Sequence, residues 1–198
     1  MFIDVGANTG IYSLIAQALT VKNLIAFEPV PNIYRCLEQN LINTGKQNFR
    51  ALNAVASSMN GTVDFHVPFG SVFATSGSMN STGFRGMPGT MINVQSFTVD
   101  SIVSNANDYK NIIVKIDAEG FEPDVLRGMT DLLKRKSTVV IFECHADGPK
   151  EELQAIFAKF DYEVGHIEAQ GVTKLNLNEN FPIKTGEWNF VASAKDTL

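Results

Sequence analysis

The feature that most constrains this chain is its opening. Phe2-Ile3-Asp4-Val5 reads as a short apolar strand, and Gly6-Ala7-Asn8-Thr9-Gly10 follows as a glycine turn. The turn opens a helix-period run from Gly10 to Leu19. Glycines let backbone approach a ligand closely, and a helix N-terminus offers unpaired N–H groups. A strand, a glycine turn and a helix in that order predict an α/β domain with a mostly parallel sheet.

The rest of the chain agrees. Short β-like runs alternate with helix-period runs. Strands are predicted at residues 1–5, 23–28, 49–57, 62–67, 112–117, 138–143, 162–168 and 187–193. Helices are predicted at residues 31–43, about Val125 to Leu133, and 150–160. The run Ile112 to Asp117 is nearly all apolar, as a central parallel strand should be. Residues 69–91 break the pattern: they are rich in Gly and Ser, with Arg85 as the sole charge. They read as a loop insertion, and insertions of this length are usually functional or unstructured. At 198 residues the chain is one domain with room for a full core. The glycine loop begins almost at once, so the domain is also compatible with excision from a longer chain.

Composition excludes several classes. Sixteen basic against twenty-one acidic residues give a net charge of −5, which argues against a nucleic-acid surface. No apolar run approaches the roughly 18 residues of a membrane span, and no signal peptide is evident. The two cysteines, Cys36 and Cys144, form no disulfide framework and sit in apolar-periodic segments as expected buried thiols. A reducing, cytoplasmic compartment follows as the expectation.

Three further motifs carry chemistry. Glu28 ends the second predicted strand, followed by Pro29, 22 positions after Gly6. An acid about 20 residues past a glycine turn can accept both hydroxyls of an adenosine ribose. Lys115-Ile116-Asp117-Ala118-Glu119-Gly120-Phe121-Glu122 stands at the mouth of the central strand, where open α/β sheets bind ligands. Asp117 and Glu119 there can hold an ammonium group, bind a metal or accept a proton. Lys115 reads as the counter-charge of Asp117 or Glu143. Phe142-Glu143-Cys144-His145 ends the neighbouring strand and brings Glu143 and His145 to the same crevice. His145 is the side chain best tuned for proton transfer near neutral pH. His66 alternates with Phe65 and Val67 and is expected to face solvent. A nicotinamide-binding G-x-G-x-x-G fails on this turn, because its later positions fall on Asn8 and Ile11.

Taken together, these motifs resemble the FkbM family of methyltransferases. The resembling pieces run in order over residues 2–145: FIDVGANTG, FEPVPNIYRCLEQN, LNAVAS, VDSIV, IVKIDAEGFEPDVLRGM and VVIFECH. The resemblance implies a seven-stranded Rossmann-like sheet with only the last strand antiparallel. It implies S-adenosylmethionine as methyl donor and a hydroxyl as acceptor, on a glycan sugar by preference or on a macrolide or other small natural product. It carries cofactor binding onto Asp4, Gly6, Asn8 and Gly10, with Ala7 and Thr9 between them, and onto Glu28 with Pro29. Ala54 and Val55 match the segment beside the adenine, and Asp117 the acid near the methionine end. His145 or Asp117 is then the expected base, with Glu119 and Glu143 orienting the acceptor. A divalent metal suits these carboxylates, but their spacing does not demand one. Phe69, Phe73 and Phe84 offer aromatic faces for a sugar ring. The alternatives are a nicotinamide-dependent oxidoreductase and a binding module without turnover.

Overall fold

The computed structural model describes residues 1–69, 88–103, 105–145, 147–175 and 189–195. The first strands and helices fall close to their expected bounds: β1 (Phe2–Val5), α1 (Ile11–Ala18), β2 (Leu24–Phe27) and α2 (Pro31–Ile42). Ile33, Leu37 and Leu41 form the buried face of α2, and Pro31 occupies its first turn. The expected strand at residues 49–57 is two strands, β3 (Phe49–Leu52) and β4 (Ala54–Ala56), in different sheets. Asn53 marks the break: its side-chain amide donates to the carbonyls of Glu28 and Pro29, both at 2.9 Å.

β5 (Gly61–Pro68) and β6 (Gly89–Phe97) pair antiparallel, and β6 pairs parallel with β4 to make a three-stranded side sheet. Sequence reading missed β6. Residues 70–87 between its partners lie outside the described residues, as do Phe73 and Phe84. After α3 (Val99–Ile102) come β7 (Ile112–Ile116), α4 (Glu122–Arg127), α5 (Thr130–Lys134) and β8 (Thr138–Glu143). The expected single helix around Val125 to Leu133 is thus two. The Gly128 carbonyl accepts from the Asp100 N–H, while the Asp100 carboxylate takes the N–H groups of Asp131 and Leu132 at the start of α5. The chain closes with α6 (Lys150–Lys159), β9 (Tyr162–Glu168), β10 (Gly171–Lys174) and β11 (Asn189–Ala194).

Among the described residues the main sheet has eight strands, in the order β10-β9-β11-β8-β7-β1-β2-β3. β11 runs antiparallel between β8 and β9, and β10 is antiparallel to β9. The expected count of seven therefore omits one strand, the exposed edge hairpin partner β10. Strand order reverses at β1, flanked by β2 and β7. Ligands of open α/β sheets bind beyond the carboxyl ends at such a reversal.

The core is asymmetric. One large cluster joins β7, β8, β9 and β11 to α4, α5 and α6. The cluster on the α1–α2 side is much smaller. α1 buries Ser13, Ala16 and Gln17 and turns Ile11, Tyr12, Ile15 and Leu19 to solvent. Two further expectations are corrected. Cys36 is exposed, because it lies off the Ile33–Leu37–Leu41 stripe of α2. His66 is buried, because the β5–β6 pairing lays its ring against Gly89, where a Cβ would stand 2.5 Å from it.

Candidate active site

The turn after β1 has positive φ at Gly6 (72°), Asn8 (53°) and Gly10 (94°). Glycine tolerates that conformation freely, and asparagine better than most L residues. The motif D-x-G-x-N-x-G thus reads as a backbone requirement at alternate positions. Gly6 also carries a steric demand: a Cβ there would stand 2.0 Å from the Asp117 carbonyl oxygen. Gly6→Ala is therefore expected to cost about 2–4 kcal/mol of stability by prising β1 from β7. Chemical denaturation checks this; an unchanged midpoint removes Gly6 from the architecture of the site.

Glu28 stands just past β2 and is buried. Its Oε2 accepts from the Asn8 N–H at 3.0 Å and its Oε1 from the Val30 N–H at 2.8 Å. Burial pushes its carboxyl up to about 7, against the opposing pull of those two N–H groups. Each oxygen keeps acceptor capacity for a ligand hydroxyl.

Glu28 opens into a cleft with about 630 Å³ of empty space, also lined by Gly6, Asn8, Pro29, Ala54, Val55 and, opposite, Asp117 and Glu119. Phe27, Phe65 and Phe121 give it apolar walls. A carboxylate beside apolar walls, with further acids across the cleft, fits an adenosine carrying an ammonium-bearing tail. Of the residues expected to bind a cofactor, Asp4, Ala7, Thr9 and Gly10 do not line this cleft. Asp4 is fully buried behind the turn and accepts from Ser13 Oγ at 2.7 Å; burial raises its carboxyl. Ala7 donates its N–H to the Phe27 carbonyl, Thr9 bonds Asn8 and Asn40, and Gly10 packs on Leu37. They build the turn.

The loop after β7 is a second unusual turn. Glu119 has φ 49° and Gly120 φ 95°. Non-glycine residues in this region signal strain, which is commonest where a side chain must be aimed. Glu122 braces the turn: its Oε1 accepts from Ala118 N–H at 3.2 Å and Gly120 N–H at 3.1 Å. Glu122 is buried, and burial raises its carboxyl. Sequence reading quoted Glu122 without a role; the signal was its place two residues after a glycine turn and at the start of a helix. His145 lies just past β8, with its Nε2 3.8 Å from Glu119 Oε2. Both side chains are mostly buried. The structure thus joins His145 to Glu119, which lines the cleft with Asp117, while His145 itself does not line it.

Glu143 departs from the expectation. It lines a second cavity of about 340 Å³ with Tyr12, Lys115 and Asn189, on the α1 side of the sheet. Burial raises its carboxyl, with further repulsion from Asp117. Among the described residues, no three His, Cys, Asp or Glu side chains converge as a metal site, and no helix is long and apolar enough to cross a membrane.

A parallel sheet reversed at β1, an antiparallel strand inserted near its far edge, and a cleft at the reversal define a Rossmann-like fold of the methyltransferase type. Residues 4–169 match the methyltransferase FkbM domain. The chain is 31% identical over 182 residues to the hexuronic acid methyltransferase AglP of Haloferax volcanii, covering 91% of this chain and 68% of that protein. It resembles the crystal structure of a methyltransferase FkbM from Methylobacillus flagellatus at a TM-score of 0.60 and 14% identity, over 96% of this chain but 42% of that one. The precorrin-6y C5,15-methyltransferase of Geobacter metallireducens shares the fold at a TM-score of 0.51 and 10% identity, over 98% of this chain and 78% of that one. The chain belongs to the FkbM methyltransferase family.

Proposed function

We propose that this protein is an S-adenosylmethionine-dependent O-methyltransferase whose acceptor is a sugar hydroxyl. The observation that carries the donor is the cleft itself, with Glu28 facing Asp117 and Glu119 across apolar walls. A sugar acceptor is supported by the similarity to the hexuronic acid methyltransferase. The donor, when bound, supplies a sulfonium methyl that a hydroxyl oxygen can displace. In this reading Glu28 accepts the ribose hydroxyls, Ala54 and Val55 wall the adenine, and Asp117 takes the ammonium of the amino-acid tail. His145 withdraws the proton of the acceptor hydroxyl, and Glu119, with its Oε2 3.8 Å from Nε2, is the carboxylate partner of the imidazole. Glu143, on the other side of Lys115, is left without a role in orienting the acceptor.

Calorimetric titration with S-adenosylmethionine, S-adenosylhomocysteine and NAD tests the donor. Binding of the first two and not the third is expected; NAD binding alone overturns the reading. Methyl transfer to uronic acids and to neutral hexoses then tests the acceptor. Turnover is expected to survive exhaustive chelation, because Lys115 pairs with Asp117 and Glu143 faces the other cavity. Loss on chelation, restored by Mg²⁺, would put a metal into the mechanism.

A further inference from the structure

Lys115 is a cation on the central strand β7, with 5% of its surface exposed. Its neighbours across the sheet are Asp4 on β1 and Ile141 on β8. Its Nζ donates to Asp117 Oδ2 at 3.1 Å and sits 4.7 Å from the centre of the Tyr12 ring, reached from α1. Glu143 lines the cavity that Lys115 and Tyr12 share. Replacing a buried ion pair by apolar side chains is often neutral or stabilising, so fold stability alone does not account for this one. Its placement does. Lys115 lines one cavity, Asp117 lines the cofactor cleft, and the ion pair is the wall between them.

We propose that Lys115, capped by Tyr12, is a positioning residue that holds the Asp117 carboxylate turned into the cleft, where it receives the ammonium of the amino-acid tail. The proposal rests on the donor reading above. Asp117 has a third of its side chain exposed. It also faces the negative charges of Asp4 and Glu143, which Lys115 offsets. Without Lys115 the carboxylate swings from these like charges toward solvent. Tyr12 keeps the ammonium of Lys115 from leaving, by the attraction of a ring face for a cation.

The test compares two ligands. S-adenosylhomocysteine carries the amino-acid tail, and 5′-methylthioadenosine lacks it. Lys115→Met is expected to weaken the first at least about tenfold, as losing a charge-assisted hydrogen bond does, and to leave the second within about twofold. Asp117→Asn should give the same pattern. The double variant should be no weaker than Asp117→Asn alone, because residues acting through one contact do not add. Tyr12→Leu, at a half-exposed position, should show a smaller loss confined to S-adenosylhomocysteine. Equal losses for both ligands, additive losses in the double variant, or wild-type affinity in Lys115→Met each overturn the proposal. Failure of the wild type to bind either ligand overturns the donor reading and this role with it.

Discussion

Glu28→Gln is expected to weaken S-adenosylhomocysteine binding at pH 8 by roughly 30- to 150-fold while leaving the unliganded protein no less stable. The binding loss follows from two hydroxyl-to-carboxylate hydrogen bonds, which together contribute about 2–3 kcal/mol. The stability side follows from the sign of the shift. Burial raises the folded carboxyl of Glu28 from its ordinary 4.5 to about 7. A group whose folded pKa is raised favours folding in its protonated form. Its ionisation therefore costs stability progressively as pH rises through that window, up to about 3 kcal/mol above it. Gln removes that cost, although its amide turns an N–H against one of the two backbone donors and gives part of the gain back. Ligand hydroxyls favour the carboxylate, so wild-type affinity should fall as pH drops from 8 to 6, and the Gln variant should lose that slope. Asp4, Glu122 and Glu143 are raised by burial as well and tilt the melting temperature of the unliganded protein the same way, so a residual pH dependence of stability is expected in the variant. Titration calorimetry at pH 6, 7 and 8, with parallel thermal melts, measures both halves. Equal affinities and slopes in the two proteins would remove Glu28 from the ribose site.

The place of Glu28 at the cleft was legible from one signal, an acid at a strand end, a fixed distance past a glycine turn. The turn itself was legible for the same reason, since the positive φ at Gly6, Asn8 and Gly10 selects residue types directly. What escaped depends on partners distant in sequence. β6 alternates weakly and finds β5 only across residues 70–87. The split of β3 from β4 is set by the amide of Asn53 reaching back to Glu28 and Pro29. The break between α4 and α5 is set by Asp100, which a periodicity argument around Val125 to Leu133 does not see. The site shows the same division. Strand position places Asp117 and Glu119 at the cleft, but it places Glu143 there too, and Glu143 instead lines the neighbouring cavity with Lys115 and Tyr12. Asp4, Ala7, Thr9 and Gly10, expected at the cofactor from the motif, lie off the cleft lining and make their contacts within the turn and its supports.

His145→Ala is expected to lower turnover by about 10²- to 10⁴-fold, the usual contribution of a positioned general base, with S-adenosylhomocysteine affinity unchanged within about threefold. The asymmetry arises because His145 does not line the cleft proposed for the donor, whereas Glu119, 3.8 Å from its Nε2, does. In the proposed mechanism the reacting hydroxyl is reached through this pair, and the strained φ of Glu119, braced by Glu122, fixes its carboxylate end. Glu119→Gln keeps the shape of that end but removes its charge, so a smaller loss, about tenfold, is expected. Because the two act as a unit, the double variant should fall little below His145→Ala. The measurement is single-turnover methyl transfer at saturating donor with a uronic acid acceptor, which isolates the chemical step from binding and product release. Turnover in His145→Ala within threefold of wild type would exclude His145 as the base and leave Asp117, whose substitution would then have to lower turnover as well as donor affinity.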